Sequence, residues 1–198
     1  MQNLDEIIRK AKELKEKGFT TGEIADELNV SRATALWLIT QDMEKEAPKD
    51  IYVDWSSIGS NPKALKNISL AMAEIVKKEI SDIEVVAGIA VSGLPLATII
   101  AEELNVDLAV IRPRKHLWEP DKKPKSGFIL SNFAKVAGKK VLIVDDIATT
   151  GTTIKEAIEL LESMRAKPIG AIVVIDKKGL HQVKGIPVRS LIRVSIVE

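Results

Sequence analysis

The chain reads as an α/β protein: a mainly parallel, twisted sheet flanked by helices, preceded by a small all-helical region. Three observations predict this. From residue 85 onward, short runs rich in β-branched residues (85–91, 107–111, 141–145, 169–175) alternate with stretches of helical period (96–104, 153–165). Alternation of that kind builds a parallel sheet with helices on both faces. Residues 1–47 carry helical patterning and no strand pattern. Between the two, Ala47-Pro48-Lys49-Asp50 breaks the helical pattern and sets an expected boundary, with domains at 1–47 and 48–198.

In chain order, Leu4, Ile7, Ile8, Ala11 and Leu14 share one face of a first helix, and Gly18 stops it. Thr20 or Thr21 caps a short second helix, with Glu23 placed for a capping box. Asn29 tolerates a left-handed turn and Ser31 can cap a third helix. Ile24, Ala25, Leu28, Val30, Ala35 and Leu38 fall where a helix-turn-helix buries its packing residues, and small Ala25 lets the two helices approach. The recognition helix is then Ser31 to Thr40. Ser31, Arg32, Ala33, Thr34 and Trp37 are its residues expected at the major groove of double-stranded DNA or at the groove's rim.

Charge runs against this. Through residue 46 there are seven Lys/Arg against ten Asp/Glu, a net of −3, whereas DNA binders carry a positive footprint. A helical interaction module that never touches DNA is the competing reading. Lys10, Lys12, Lys15 and Lys17 are the cations available for phosphates.

Past the boundary, Ile51 to Trp55 reads as a short strand, and Ser60-Asn61-Pro62 starts a helix that runs to Glu79. Strand 85–91 leads into Ser92-Gly93-Leu94-Pro95, helix 96–104 and strand 107–111. Residues 112–140 are mostly loop, with a short strand at 127–130. Strand 141–145, helix 153–165, strand 169–175 and a terminal strand at 188–196 complete the alternation.

Ligands of such sheets bind beyond the carboxyl ends of the strands. Four of those ends carry polar or basic residues: Ser92-Gly93, Arg112 through His116, Asp145 through Thr153, and Asp176-Lys177-Lys178. Strand direction brings all four to one edge. The third is the most informative. Asp145 and Asp146 end an apolar strand, and the turn Ala148-Thr149-Thr150-Gly151-Thr152-Thr153 leads into a helix. Free amides and the positive end of a helix dipole suit a phosphate there, with threonine hydroxyls as further donors. The two carboxylates would repel that phosphate in a shared pocket. They fit neighbouring sugar hydroxyls instead, or help to hold a cation. Ser92-Gly93 makes a second amide-lined anion turn. Arg112, Arg114 and Lys115 supply permanent positive charge, His116 a titratable imidazole, and Lys122, Lys123 and Lys125 the composition of a lid.

Composition closes off other classes. A net charge of +1 over 198 residues gives no global nucleic-acid signal, and the absence of cysteine removes disulfides and thiolate metal sites. With two histidines, no dedicated metal centre is expected. No apolar run reaches membrane-spanning length and MQNLDEIIRK lacks a signal-peptide core, so the expectation is a cytoplasmic protein with no membrane partner.

The stretch 141–153 resembles the phosphoribosyl pyrophosphate (PRPP) motif of type I phosphoribosyltransferases. Tyr52-Val53-Asp54 followed by Pro62 resembles the start of their orotate branch. The resemblance covers residues 50–198. It implies that Asp145 and Asp146 bind the ribose hydroxyls, that 148–153 hold the 5′-phosphate, and that Ser92, Gly93, Arg112 and Arg114 meet the pyrophosphate. It also implies Mg²⁺ bound with PRPP, Lys177 at the base site and, in an active enzyme, Lys115 and His116 as catalytic groups. Two features depart from the orotate branch. The helix-turn-helix stands where the base-binding hood belongs, and Asp176-Lys177 replaces an Asp-Arg pair, losing bidentate geometry. A helix-turn-helix joined to such a domain resembles the archaeal orotate phosphoribosyltransferase-like transcriptional regulators. That implies a homodimer that binds DNA and senses PRPP or a related phosphorylated sugar. The alternative is an active phosphoribosyltransferase that makes a nucleotide from PRPP and a nucleobase.

Overall fold

The computed structural model describes residues 4–41, 47–113, 128–130 and 134–195. Its contacts divide the chain into two compact units, Met1–Trp55 and Ser56–Glu198.

The first unit is the expected helix-turn-helix with a leading helix: α1 (Leu4–Glu16), α2 (Thr21–Glu27) and α3 (Arg32–Thr40). Ile7, Ile8 and Ala11 of α1 bury against Ile24, Ala25, Leu28, Val30, Ala35 and Leu38. The turns follow local chemistry. Thr20 and Glu23 form a capping box, and Asn29 takes φ +54° between α2 and α3. The unit reaches past the 47/48 boundary because the chain beyond Pro48 stays on it. The Asp50 carboxylate accepts from the Ser31 amide at 2.7 Å and from Thr34 Oγ1 at 2.8 Å, and Tyr52 packs on the helical core. Residues 51–55 are irregular chain, not the expected strand, because they settle on helices and pair with no strand.

The second unit is a seven-stranded sheet ordered β3-β2-β1-β4-β5-β7-β6. Its strands are β1 (Val85–Ile89), β2 (Asp107–Pro113), β3 (Phe128–Leu130), β4 (Lys140–Ala148), β5 (Lys167–Asp176), β6 (Gln182–Val183) and β7 (Ile186–Arg193). β2, β1, β4, β5 and β7 run parallel, while β3 and β6 are antiparallel additions at the two edges. The helices are α4 (Ser56–Gly59), α5 (Pro62–Glu79), α6 (Gly93–Leu104) and α7 (Thr152–Ser163).

Strand alternation divides the apolar residues between two faces. Val85, Ala87, Val141, Ile143, Ala171 and Val173 bury against Ile154, Ala157, Ile158 and Leu161 of α7. α5 and α6 pack together, α6 against β1 and β4 and α5 against β5. At about 25 cal/mol per Å² of apolar surface removed from water, this two-sided burial is the main force holding the sheet.

Two element boundaries differ from expectation in ways that shape the site. β4 runs on to Ala148 because β5 is long enough to pair with it, through Asp145↔Val173, Ile147↔Ile175 and Ala148↔Asp176. α6 begins at Gly93, not Leu96, with Pro95 in its first turn, where the missing N–H leaves no helical bond unmade.

Candidate functional site

The parallel strands β1, β2, β4 and β5 deliver their carboxyl ends to one edge, so the segments that follow them meet there. Contact between two of these segments is visible at Gly93. A Cβ built on it would stand 2.6 Å from the Val144 carbonyl oxygen, 3.0 Å from Asp145 Cα and 3.2 Å from Asp145 Oδ1. Only a glycine lets the start of α6 lie on β4 beside the acid pair.

Asp145 and Asp146 are both buried, at 7% and 6% exposure. They lie within β4 instead of ending it, and alternation along a strand sends their side chains to opposite faces. Asp145 Oδ1 accepts from the Asp146 amide at 3.0 Å and lies near Gly93.

The turn after β4 holds the second half of the site. Ala148 is buried, Thr150 and Thr152 are exposed, and Thr149 and Thr153 are half-buried. Gly151 caps α7 at φ +81° with no side-chain bond to the helix start. The Thr150 and Thr152 hydroxyls lie 2.9 Å apart. Gly151 packs under the β5–β6 connection: a Cβ there would meet Leu180 Cδ1 at 3.1 Å and Val183 Cγ2 at 3.4 Å. α6 also starts at Ser92 without a side-chain cap. By contrast α2, α3 and α5 are capped by Thr20, Ser31 and Asn61. The N-cap residues of α6 and α7, the two helices that begin at this strand-end edge, thus give their first turns no side-chain acceptor.

Arg112 is exposed near the end of β2. Arg114, Lys115, His116, Lys122, Lys123 and Lys125 lie outside the described residues. Lys177 is half-buried, and its amide bonds the Ala148 carbonyl at 2.9 Å, tying its turn to the one after β4. Asp176 is fully buried: Oδ1 accepts from the Lys178 and Gly179 amides at 2.9 Å each, and Oδ2 lies 3.4 Å from Arg193 Nε. Its job is to shape the turn that carries Lys177. No sequence periodicity marks Leu180, Val183 or Arg193, which cover these turns from the neighbouring hairpin.

Among the described residues no group of three or more His, Cys, Asp or Glu is placed to hold a metal. The acid pair supplies oxygen ligands at most for a cation whose other positions are filled by ligand phosphates and water, the habit of Mg²⁺.

On the helix-turn-helix, Arg32 and Ala33 are exposed as expected, and Trp37 is half-buried against the helical core. Ser31 and Thr34 are engaged within the fold. Ser31 is the N-cap of α3, its Oγ accepting from the Thr34 amide at 3.1 Å, and Thr34 is buried at 9% with its hydroxyl donated to Asp50. Both are consumed in building the helix start. Lys10, Lys12, Lys15 and Lys17 are exposed, Lys12 donating to the Gln41 side chain at 2.9 Å.

A family model described as phosphoribosyl transferase domain matches residues 54–195. A protein named transcriptional regulator GfcR from Archaeoglobus fulgidus is 47% identical over 195 residues, 98% of this chain and 98% of that protein. Its namesake from Methanosarcina mazei is 45% identical over the whole of both chains. The chain belongs to this family of phosphoribosyl transferase-like transcriptional regulators. A further family member, from Haloferax volcanii, is 41% identical over 98% of this chain and 97% of that protein. Among solved structures, the adenine phosphoribosyltransferase of Thermoanaerobacter pseudethanolicus superposes with a TM-score of 0.59 at 20% identity, covering 75% of this chain and 90% of that one. The orotate phosphoribosyltransferase of Mycobacterium tuberculosis gives 0.57 at 23%, covering 76% and 85%. At these identities the likeness is one of fold: the family's second unit is a type I phosphoribosyltransferase fold. No helix among the described residues is long and apolar enough to cross a membrane.

Proposed function

We propose that this regulator acts in the cytoplasm as a homodimer that binds double-stranded DNA and takes PRPP, or a related phosphorylated sugar, as its effector, so coupling transcription to sugar or nucleotide metabolism. The observation that carries the effector half is the ligand edge itself. Two helix starts without side-chain caps flank a buried acid pair, a layout suited to a sugar with phosphate on both sides. In this reading Asp145 and Asp146 accept from ribose hydroxyls, 148–153 donate to the 5′-phosphate, and Ser92, Gly93 and Arg112, with Arg114, meet the pyrophosphate. Mg²⁺ arrives with the ligand, neutralising its charge, with Asp145 and Asp146 as the protein oxygens within its reach. Support for the DNA half comes from a well-packed helix-turn-helix whose third helix keeps Arg32 and Ala33 exposed. Effector can change operator affinity only through a difference in its affinity for two arrangements of the dimer's recognition helices.

Equilibrium binding of the protein to a duplex enriched from a random pool, with and without PRPP and Mg²⁺, tests this reading. The expected result is saturable PRPP binding and a shift in duplex affinity. Duplex affinity indifferent to PRPP and to other phosphorylated sugars would remove the sensing role. The retained cradle also favours a second reading, an active phosphoribosyltransferase with Lys177 at the base and Lys115 and His116 as catalytic groups. Pyrophosphate release on incubation with PRPP, Mg²⁺ and each common nucleobase decides between them, since turnover with any base makes the chain an enzyme.

A further inference from the structure

The outward face of α3 holds two residues beyond those its sequence advertised, Leu36 and Thr40. At about 100° per residue, Arg32, Leu36, Thr40, Ala33 and Trp37 occupy a continuous arc of about 140°. Thr34, Ala35 and Leu38 are buried on the opposite side. Leu36 lies well inside the arc and is 52% exposed. Thr40 is exposed, but its hydroxyl is spent on the Leu36 carbonyl at 2.9 Å, leaving the methyl as its outward group. Ala33 contributes another methyl. Arg32, the single charge of the arc, stands at its rim: its guanidinium lies over Gly22 at the start of α2, with Nε 3.5 Å from where a Cβ on that glycine would be.

A helix surface that rests on phosphates needs cations; this one presents three methyl-ended groups, with a guanidinium at one rim and the half-buried Trp37 at the other. Base edges in the major groove offer one purely apolar feature, the thymine C5-methyl. We infer that Leu36, supported by Ala33 and the Thr40 methyl, reads thymine methyl groups, while Arg32 takes a backbone phosphate beside the first turn of α2. The inference rests on the DNA-binding reading above and names the chemistry by which that helix selects its sequence. An exposed leucine ringed by methyls also suits another protein's apolar surface, and the test separates the two.

The full-length protein is used to enrich preferred duplexes from a random pool, and each thymine of the enriched site is then replaced by uracil, which deletes only the C5-methyl. At least one replacement should weaken binding about four-fold, the worth of one buried methyl. Leu36→Ala should melt like the parent chain, since the side chain is outside the core. It should bind the enriched site about ten-fold more weakly and lose the uracil penalty at that position. Leu36→Met should keep most of the affinity. Uracil penalties that persist unchanged in Leu36→Ala, or that appear nowhere in the parent chain, would overturn the thymine reading while leaving DNA binding intact. Failure to enrich any duplex would overturn the DNA-binding reading itself and leave the face to a protein partner.

Discussion

Helices α3 and α7 both begin on a surface that would face a negatively charged partner, yet their first turns are built in opposite ways. At α3 two amides are already answered: Ser31 Oγ takes the Thr34 amide, and the Asp50 carboxylate takes the Ser31 amide along with the Thr34 hydroxyl. At α7 the cap is Gly151, which has no side chain to offer, and the nearest substitute is a 3.4 Å approach of the Thr152 amide to Thr150 Oγ1. A helix start satisfied from within is a structural joint, stable without a ligand. One left without a side-chain cap beside buried carboxylates trades stability for binding. If the proposed function holds, the side-chain caps of the helix-turn-helix keep its third helix rigid, and the bare start of α7 leaves room for a phosphate.

The strongest way to break this contrast is at the acid pair. Changing Asp145 and Asp146 together to Asn removes two charge-assisted acceptors worth about 1.5–3 kcal/mol each. PRPP affinity, followed by calorimetry with Mg²⁺ present, should fall about a hundred-fold or more, with the melting temperature unchanged or raised. Unaltered affinity would detach the pair from the ribose.

Next in size is Asp50→Ala, which strips two acceptor contacts from the start of α3 and leaves the buried Thr34 hydroxyl without this acceptor. A loss of about 2 kcal/mol in the first unit is expected from denaturant unfolding followed by tryptophan fluorescence. Thr150→Ala is its mirror image. Because α7 does not depend on a side-chain cap, unfolding free energy should move by no more than about 0.5 kcal/mol, while PRPP binding weakens about three- to ten-fold through loss of one neutral donor. A stability loss at Thr150 as large as that at Asp50 would erase the distinction between the two helix starts.

What the sequence made legible follows the same line. Strand and helix alternation, the capping box at Thr20 and Glu23, and the Asn61-Pro62 helix start are local signals, and each is realised in the fold. The turn after β4 was readable because its residue types bear on chemistry directly. The extent of β4 was not, since Asp145 and Asp146 are held in the strand by pairing to β5, a contact between residues far apart in the chain. The engagement of Thr34 is illegible for the same reason: its hydroxyl bonds Asp50, a partner sixteen residues away that no helical period reveals. Leu36 belongs neither to the packing set nor to the groove-facing set that the sequence suggests, and its 52% exposure is what places it on the outward arc.

The smallest expected effect lies on the segment that carries Asp50 and tests whether that segment belongs to the prebuilt unit. Tyr52 is the chain's one tyrosine and packs against the helical core. Burial raises its pKa above the ordinary 10.0, helped by the negative charges of Asp54 and Glu6. A hydroxyl that holds its proton more tightly in the folded state contributes stability below pH 10, and that contribution is lost as pH rises through the folded value. Tyrosinate absorbance should therefore titrate above pH 10 in the native protein and return to about 10 in denaturant. Tyr52→Phe should remove the corresponding fraction of the alkaline loss of stability. A native midpoint at or below 10 would mean that residues 51–55 are solvated linker, and Asp50 would then lose its standing as a fixed acceptor at the start of α3.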